Sequence, residues 1–129
     1  MRVFSTSLAL IAILLLAGCS VRPFAPPTLD DRLAELGYRQ GAPLDTILGF
    51  DLSGWHYLDT RHLALGTGLG RAYLVDFAVP CRNLAAGNRL GYRSRAAGLQ
   101  AGDALVSTDA RGSRLDCPIG GLYRLDPLR

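Results

Sequence analysis

Several sets of side chains in this sequence have types and spacings that could do chemistry. The most suggestive are arginines. Arg89, Arg93 and Arg95 fall on one face of an expected strand, with Arg82 not far away in sequence. Guanidinium groups arrayed in this way can hold carboxylates or phosphates through paired N–H donors. The plainer role for such a row is a solvated strand face that discourages pairing with other chains. Ser53, His56 and Asp59 supply the residue types of a nucleophilic triad, but a serine nucleophile needs its base within hydrogen-bond reach. In a strand, residues 53 and 56 point to opposite faces. His56 and His62 are the only histidines. Asp51 or Asp59 could join them, but zinc usually takes three or four protein ligands, so no metal is expected. Gly66-Thr67-Gly68-Leu69-Gly70 has the composition of a phosphate cradle. A dinucleotide fingerprint, however, reads G-x-G-x-x-G into a helix, and a phosphate loop carries Gly-Lys. These glycines alternate and lead into a strand, as a hairpin turn would. No catalytic constellation and no cofactor are expected, and the arginines remain as candidate anion-binding residues.

The cysteines carry a different kind of chemistry. Met1 and Arg2 form a short positive start, and Val3 to Leu16 is apolar apart from Ser5, Thr6 and Ser7. Small residues follow, ending in Leu16-Ala17-Gly18-Cys19. That is the layout of a secretory signal, and the apolar stretch is shorter than the roughly 20 residues a spanning helix needs. Leu-Ala-Gly-Cys resembles the lipobox of bacterial lipoproteins. The resemblance implies cleavage before Cys19, a diacylglycerol on its thiol and acylation of the new amine. Several acyl chains hold a protein firmly to a membrane, where one binds only marginally. Ser20, in place of an aspartate, implies sorting to the outer membrane, with the domain on its periplasmic face. With Cys19 lipidated, Cys81 and Cys117 remain, and an even pair in an exported domain is expected as a disulfide. They are too far apart for the C-x-x-C spacing of a redox pair.

Composition narrows the partners. The net charge of +3 drops by one when Arg2 leaves with the signal, which is too mild to argue for nucleic acid. All 14 basic residues are arginine. Arginine stays charged at any working pH, so a Schiff-base lysine, a phosphate-loop lysine and a lysine general base are all excluded. Apolar residues at 49% and charged ones at 19% argue against bulk disorder. Fifteen glycines and seven prolines suit short strands joined by turns.

The elements that must position these groups follow from pattern. Residues 1–18 are expected as signal and 19–28 as a lipidated tether, extended by its prolines. A short helix and linker follow over 29–41, then a small β-domain over 42–129. Thr28 caps the helix, Asp30 and Asp31 occupy its first turn, and Gly37 stops it. Leu29, Leu33 and Leu36 make one apolar stripe. Leu52–Leu58 places Trp55 and Tyr57 on one face and His56 and Leu58 on the other. Leu63–Leu65 follows a turn at Asp59-Thr60-Arg61. Arg71–Ala78 is the clearest strand, with Tyr73, Val75 and Phe77 alternating against Ala72, Leu74 and Asp76. Cys81–Ala86 is expected as a helical turn, and Leu90–Arg95, Ala104–Thr108, Arg114–Cys117 and Gly121–Leu125 as further strands. Aromatics at period two are expected in the core rather than along a ligand groove. The sum is a mainly β fold: a small antiparallel meander curled into a barrel or sandwich, with one disulfide and a short N-terminal helix.

The order of these elements resembles a proteobacterial family, the DUF6491 domain proteins. The likeness rests on Trp55 with Leu58-Asp59, Arg71-Ala72-Tyr73-Leu74-Val75 and Pro80-Cys81-Arg82-Asn83-Leu84. It continues through Asp103-Ala104-Leu105-Val106, Cys117-Pro118-Ile119 and Leu122-Tyr123-Arg124-Leu125-Asp126. It covers about Ala42 to Pro127, and departs at the glycine turn 66–70 and at Ala96–Ala101. The resemblance implies a secreted, disulfide-linked β-domain and carries nothing about catalysis.

The function expected from these residues is a cell-envelope lipoprotein whose β-domain binds or scaffolds without catalysis. Its partners would be the membrane, through the lipid, and an envelope protein, lipid phosphate or peptidoglycan. An inhibitor of a lysozyme or protease would need a projecting loop, for which Ala96–Asp103 is the candidate. An envelope glycan hydrolase would need two carboxylates facing each other across a cleft.

Overall fold

The computed structural model describes residues 18–19, 23–67 and 70–129. The expected signal segment up to residue 17, including Leu16 and Ala17 of the lipobox, lies outside the described residues. So do residues 20–22 of the tether and 68–69 of the glycine turn.

The first element among the described residues is α1 (Leu29–Glu35). Thr28 caps it reciprocally: its hydroxyl accepts from Asp31 N at 3.2 Å, and its own backbone N–H donates to Asp31 Oδ2 at 2.8 Å. Gly37, at φ +86°, ends the helix. Two turns cannot persist alone. α1 docks through fully buried Leu33, with Leu29 and Leu36 beside it, onto Leu58, Ala64, Ala72, Leu74 and Leu125. The expected stripe is the docking face.

Nine strands follow: β1 (Tyr38–Leu44), β2 (Thr46–Ile47), β3 (His56–Asp59), β4 (His62–Leu65), β5 (Ala72–Phe77), β6 (Arg89–Arg93), β7 (Leu99–Gln100), β8 (Ala104–Thr108) and β9 (Arg114–Pro127). Seven form one antiparallel sheet in the order β3-β4-β5-β9-β8-β6, with β1 also paired to β9. β2 and β7 make a separate small pair. Among the described residues the fold is mainly β, a curled antiparallel half-barrel with one helix and one disulfide, as the sequence leads one to expect. The meander itself runs through β3, β4 and β5. The sheet then continues to β9, from the far end of the chain, and β6 reaches it only through β8.

β9 organises the whole. Its first half pairs with β8, and its second half lies between β5 and β1. The sequence suggests two strands here, Arg114–Cys117 and Gly121–Leu125, because Pro118 and two glycines interrupt the pattern. The structure has one strand of 14 residues. Gly120 is an extra residue in its pairing with β5: Phe77 faces Ile119 and Asp76 faces Gly121. A Cβ on Gly120 would sit 3.0 Å from Ala78 Cα and N, so a side chain there would press on the Ala78 backbone. The segment Tyr38–Gly41, expected as linker, is the start of β1. Its residues do not alternate in hydrophobicity, and pairing with β9 holds them extended.

The concave side of the sheet encloses Leu63, Leu65, Tyr73, Val75, Phe77, Leu105 and Leu122, all buried. The segment between β1 and β3 closes over them through Ile47, Phe50, Leu52 and Trp55. Trp55 and Tyr57 face this core while Leu58 faces α1, as the alternation requires. Cys81 and Cys117 are both buried in the same core and are bonded, with Cα atoms 5.4 Å apart and a sequence separation of 36. Closing a loop of that size stabilises a fold by about 3–4 kcal/mol on the chain-entropy model. Cys81 begins a single turn, in which Leu84 N–H donates to its carbonyl at 3.1 Å.

Candidate functional site

Among the described residues, no second layer covers the outward face of β6, β8 and the first half of β9. Register fixes what it presents. Arg89 lies opposite Thr108, and Thr108 opposite Arg114. Gly91, Val106 and Asp116 form the next row, and Arg93, Ala104 and Pro118 the third. Residues paired across an antiparallel sheet share a face, so this is a patch three strands wide. The opposite face of the same strands carries Leu90, Leu105 and Cys117 into the core. Along the outward face runs an open groove of about 480 Å³, lined by Arg89, Gly91, Arg93, Val106, Thr108 and Arg114 among others. That lies within the size range of small-molecule pockets.

Each row contributes something different. Val106 is only 5% exposed although it belongs to neither buried cluster. Aliphatic stems of neighbouring long side chains can shield such a residue while their charged ends stay in water. Gly91 leaves the floor open, the nearest atom to a Cβ built there being Val106 Cβ at 4.0 Å. Arg93 Nε lies 3.4 Å from Asp116 Oδ2, both side chains exposed. Such a surface pair contributes about 0–1 kcal/mol. Arg89 and Arg114 have no carboxylate within ion-pair distance among the described residues.

Of the four arginines singled out in the sequence, the structure brings Arg89 and Arg93 to the groove. Arg95 lies past the end of β6, which stops at Arg93 rather than at residue 95. The cause is Ser94, whose hydroxyl meets the carbonyls of Ala96 at 2.8 Å and Gly98 at 2.6 Å and turns the chain. Arg82 is exposed in the turn after Cys81 and does not line the groove. The sequence pattern does not single out Arg114. Its signal was present: Arg114, Asp116 and Pro118 alternate with Leu115, Cys117 and Ile119. Only the register of β9 on β8, and of β8 on β6, places it in one row with Arg89, across Thr108.

The remaining candidates resolve otherwise. Ser53 Oγ donates to Asp51 Oδ1 at 2.7 Å, and this bond, with that from Ser53 N–H, holds the Asp51 carboxyl below its ordinary value. Asp59 accepts from Arg61 N at 2.7 Å, making the β3–β4 turn, and lies 2.9 Å from His62 Nδ1. Neither residue is directed at His56, which is exposed, so the triad types do not assemble. His62 Nε2 lies 3.5 Å from Asp76 Oδ1, its cross-strand partner, so two carboxylates flank this histidine. No group of three or more metal-ligating side chains occurs among the described residues.

Ala96–Asp103, the candidate loop, is anchored at two buried residues, Leu99 and Asp103. Leu99 is fully buried and pairs with Ile47 through β2 and β7. Asp103 is buried and accepts from Gln100 N at 2.9 Å and Ser94 Oγ at 3.1 Å. Gly98 packs so tightly that a Cβ would lie 2.6 Å from Ile47 O. Tyr73 and Phe77 are core residues. Tyr92, half exposed, meets Phe50 edge to face at 5.0 Å between ring centres. Cys19 is exposed and unbonded, and no helix among the described residues is long and apolar enough to cross a membrane.

Comparison with known proteins places the chain in one family: it belongs to DUF6491, a family of unknown function, whose model matches residues 2–128. Among curated proteins and among solved structures, nothing matches.

Proposed function

We propose that this chain is a lipid-anchored protein of the bacterial cell envelope whose β-domain binds an anionic ligand without transforming it. The observation that carries this reading is the division of its cysteines. Cys81 and Cys117 are buried and bonded, while Cys19 stands exposed and unbonded after Leu16-Ala17-Gly18. Disulfides persist outside the cytoplasm, and the lone thiol occupies the position that a lipobox would acylate. Ser20 favours the outer membrane, and the prolines at 23, 26 and 27 make a stiff spacer between lipid and α1. The groove of Arg89, Arg93 and Arg114 supplies the binding surface. Lipid phosphate, peptidoglycan carboxylate and an acidic envelope protein all present the charge it would hold.

Cell fractionation with labelled fatty acid tests the anchor. Wild-type protein should carry label and sediment with outer membranes. Cys19→Ala should be unlabelled and soluble in the periplasm. Unlabelled wild-type protein in the cytosol, with all three thiols reduced, would remove the reading.

A further inference from the structure

Resting on the reading that the groove binds an anion, we infer that its ligand carries a terminal phosphate monoester, seated on the row Arg89–Thr108–Arg114. The three residues occupy directly opposed positions on adjacent strands β6, β8 and β9. Two strand spacings separate the outer pair, about 10 Å between backbones. Two long guanidinium side chains therefore flank one hydroxyl. That set offers two forked donors and a central O–H, which suits a group with three acceptor oxygens.

Charge separates this row from the rest of the patch. Arg93 is paired with Asp116 and contributes no net charge to the groove. Arg89 and Arg114 meet no carboxylate among the described residues, so the row offers two positive charges. A phosphate monoester carries between one and a half and two negative charges near neutrality, whereas a carboxylate or a phosphate diester carries one. Beyond the row, Gly91 leaves space on the outward face, and the Arg93–Asp116 pair spans the patch there, with Asp116 in the row of Gly91 and the shielded Val106. A compact organic body attached to the phosphate, such as a sugar, would lie over Gly91. Its hydroxyls would reach a donor and an acceptor in that ion pair.

The test is a calorimetric titration of the processed, delipidated chain with glucose 1-phosphate, inorganic phosphate, glucose and glucuronate. Glucose 1-phosphate should bind at least tenfold more tightly than glucuronate, and glucose should not bind. Arg89→Gln and Arg114→Gln should each weaken it by about tenfold or more, the worth of one charged hydrogen bond. Arg93→Gln should weaken it less than either. Vesicles of phosphatidylcholine containing phosphatidic acid, compared with phosphatidylglycerol, separate a lipid source from a soluble one. Selective binding to phosphatidic acid supports a lipid monoester, and binding only to the soluble ester supports a free sugar phosphate. Equal affinity for glucuronate would overturn the phosphate assignment and leave anion binding intact. Failure of every anion to bind the folded protein would overturn both. Loss equal in Arg93→Gln and Arg114→Gln would overturn the assignment to this row.

Discussion

The outward side of β9 is one continuous surface treated in two ways. Along its second half, Tyr123 and Leu125 lie under α1, and Leu33 of that helix is wholly buried against them and their neighbours. Along its first half, Arg114 and Asp116 stand in solvent beside Arg89 and Arg93, with only Val106 shielded among them. Both halves share the same core on the inward side. The contrast teaches that this sheet needs a covering layer only where its outward residues are apolar. Where they are charged, the surface is free to meet something else.

The sharpest challenge to that contrast lies beneath both halves. Cys81→Ser should lower stability by about 3–4 kcal/mol, or roughly 10–20 °C in Tm, because Cys117 ties the first half of β9 to the turn after β5. Hydrogen exchange should loosen β8 and the first half of β9 before the half under α1. An unchanged Tm would remove the stapling argument. Next in size, Leu33→Ala should cost about 3 kcal/mol in chemical unfolding, since it empties a fully buried site. A loss below 1 kcal/mol would mean that α1 is not a true second layer.

A smaller effect belongs to the cap. Thr28→Ala should cost about 1 kcal/mol by removing the helix's first acceptor. The backbone N–H of Thr28, and then its hydroxyl, hold the Asp31 carboxyl below its ordinary value of 3.8. Its folded form thus favours the charged state, so the contribution is present at neutral pH and fades as pH falls through the depressed value. Asp31→Asn should therefore differ from wild type near pH 7 and converge with it in acid. Smallest of all, Arg93→Gln should change stability by less than about 1 kcal/mol, as expected for an exposed pair. A larger loss would mean that the bare half is structural, not available for binding.

Much of the fold is legible in local pattern. The cap at Thr28, the leucine stripe, the alternation of Tyr73, Val75 and Phe77 and the Asp59 turn each declare themselves within a few residues. What is not legible depends on partners distant in sequence. β1 contains Gly41 and Pro43 and shows no period; it is extended because β9 pairs with it. β9 reads as two strands because a proline and two glycines usually punctuate, and only the close approach of Ala78 to Gly120 explains why they do not. The binding row is the same case. Arg89 is readable as one of a stripe, but its companions Thr108 and Arg114 become neighbours through register, which no window of sequence contains.

The position of β9 also bears on when this protein can fold. Tyr38 pairs with Pro127, and β1, β5 and β8 all take partners from β9. During synthesis, each of these strands must wait with an open edge until β9 emerges. Pairings this remote slow folding and expose unpaired edges. Delaying β9 therefore leaves most of the sheet incomplete, whatever the order in which its other strands pair.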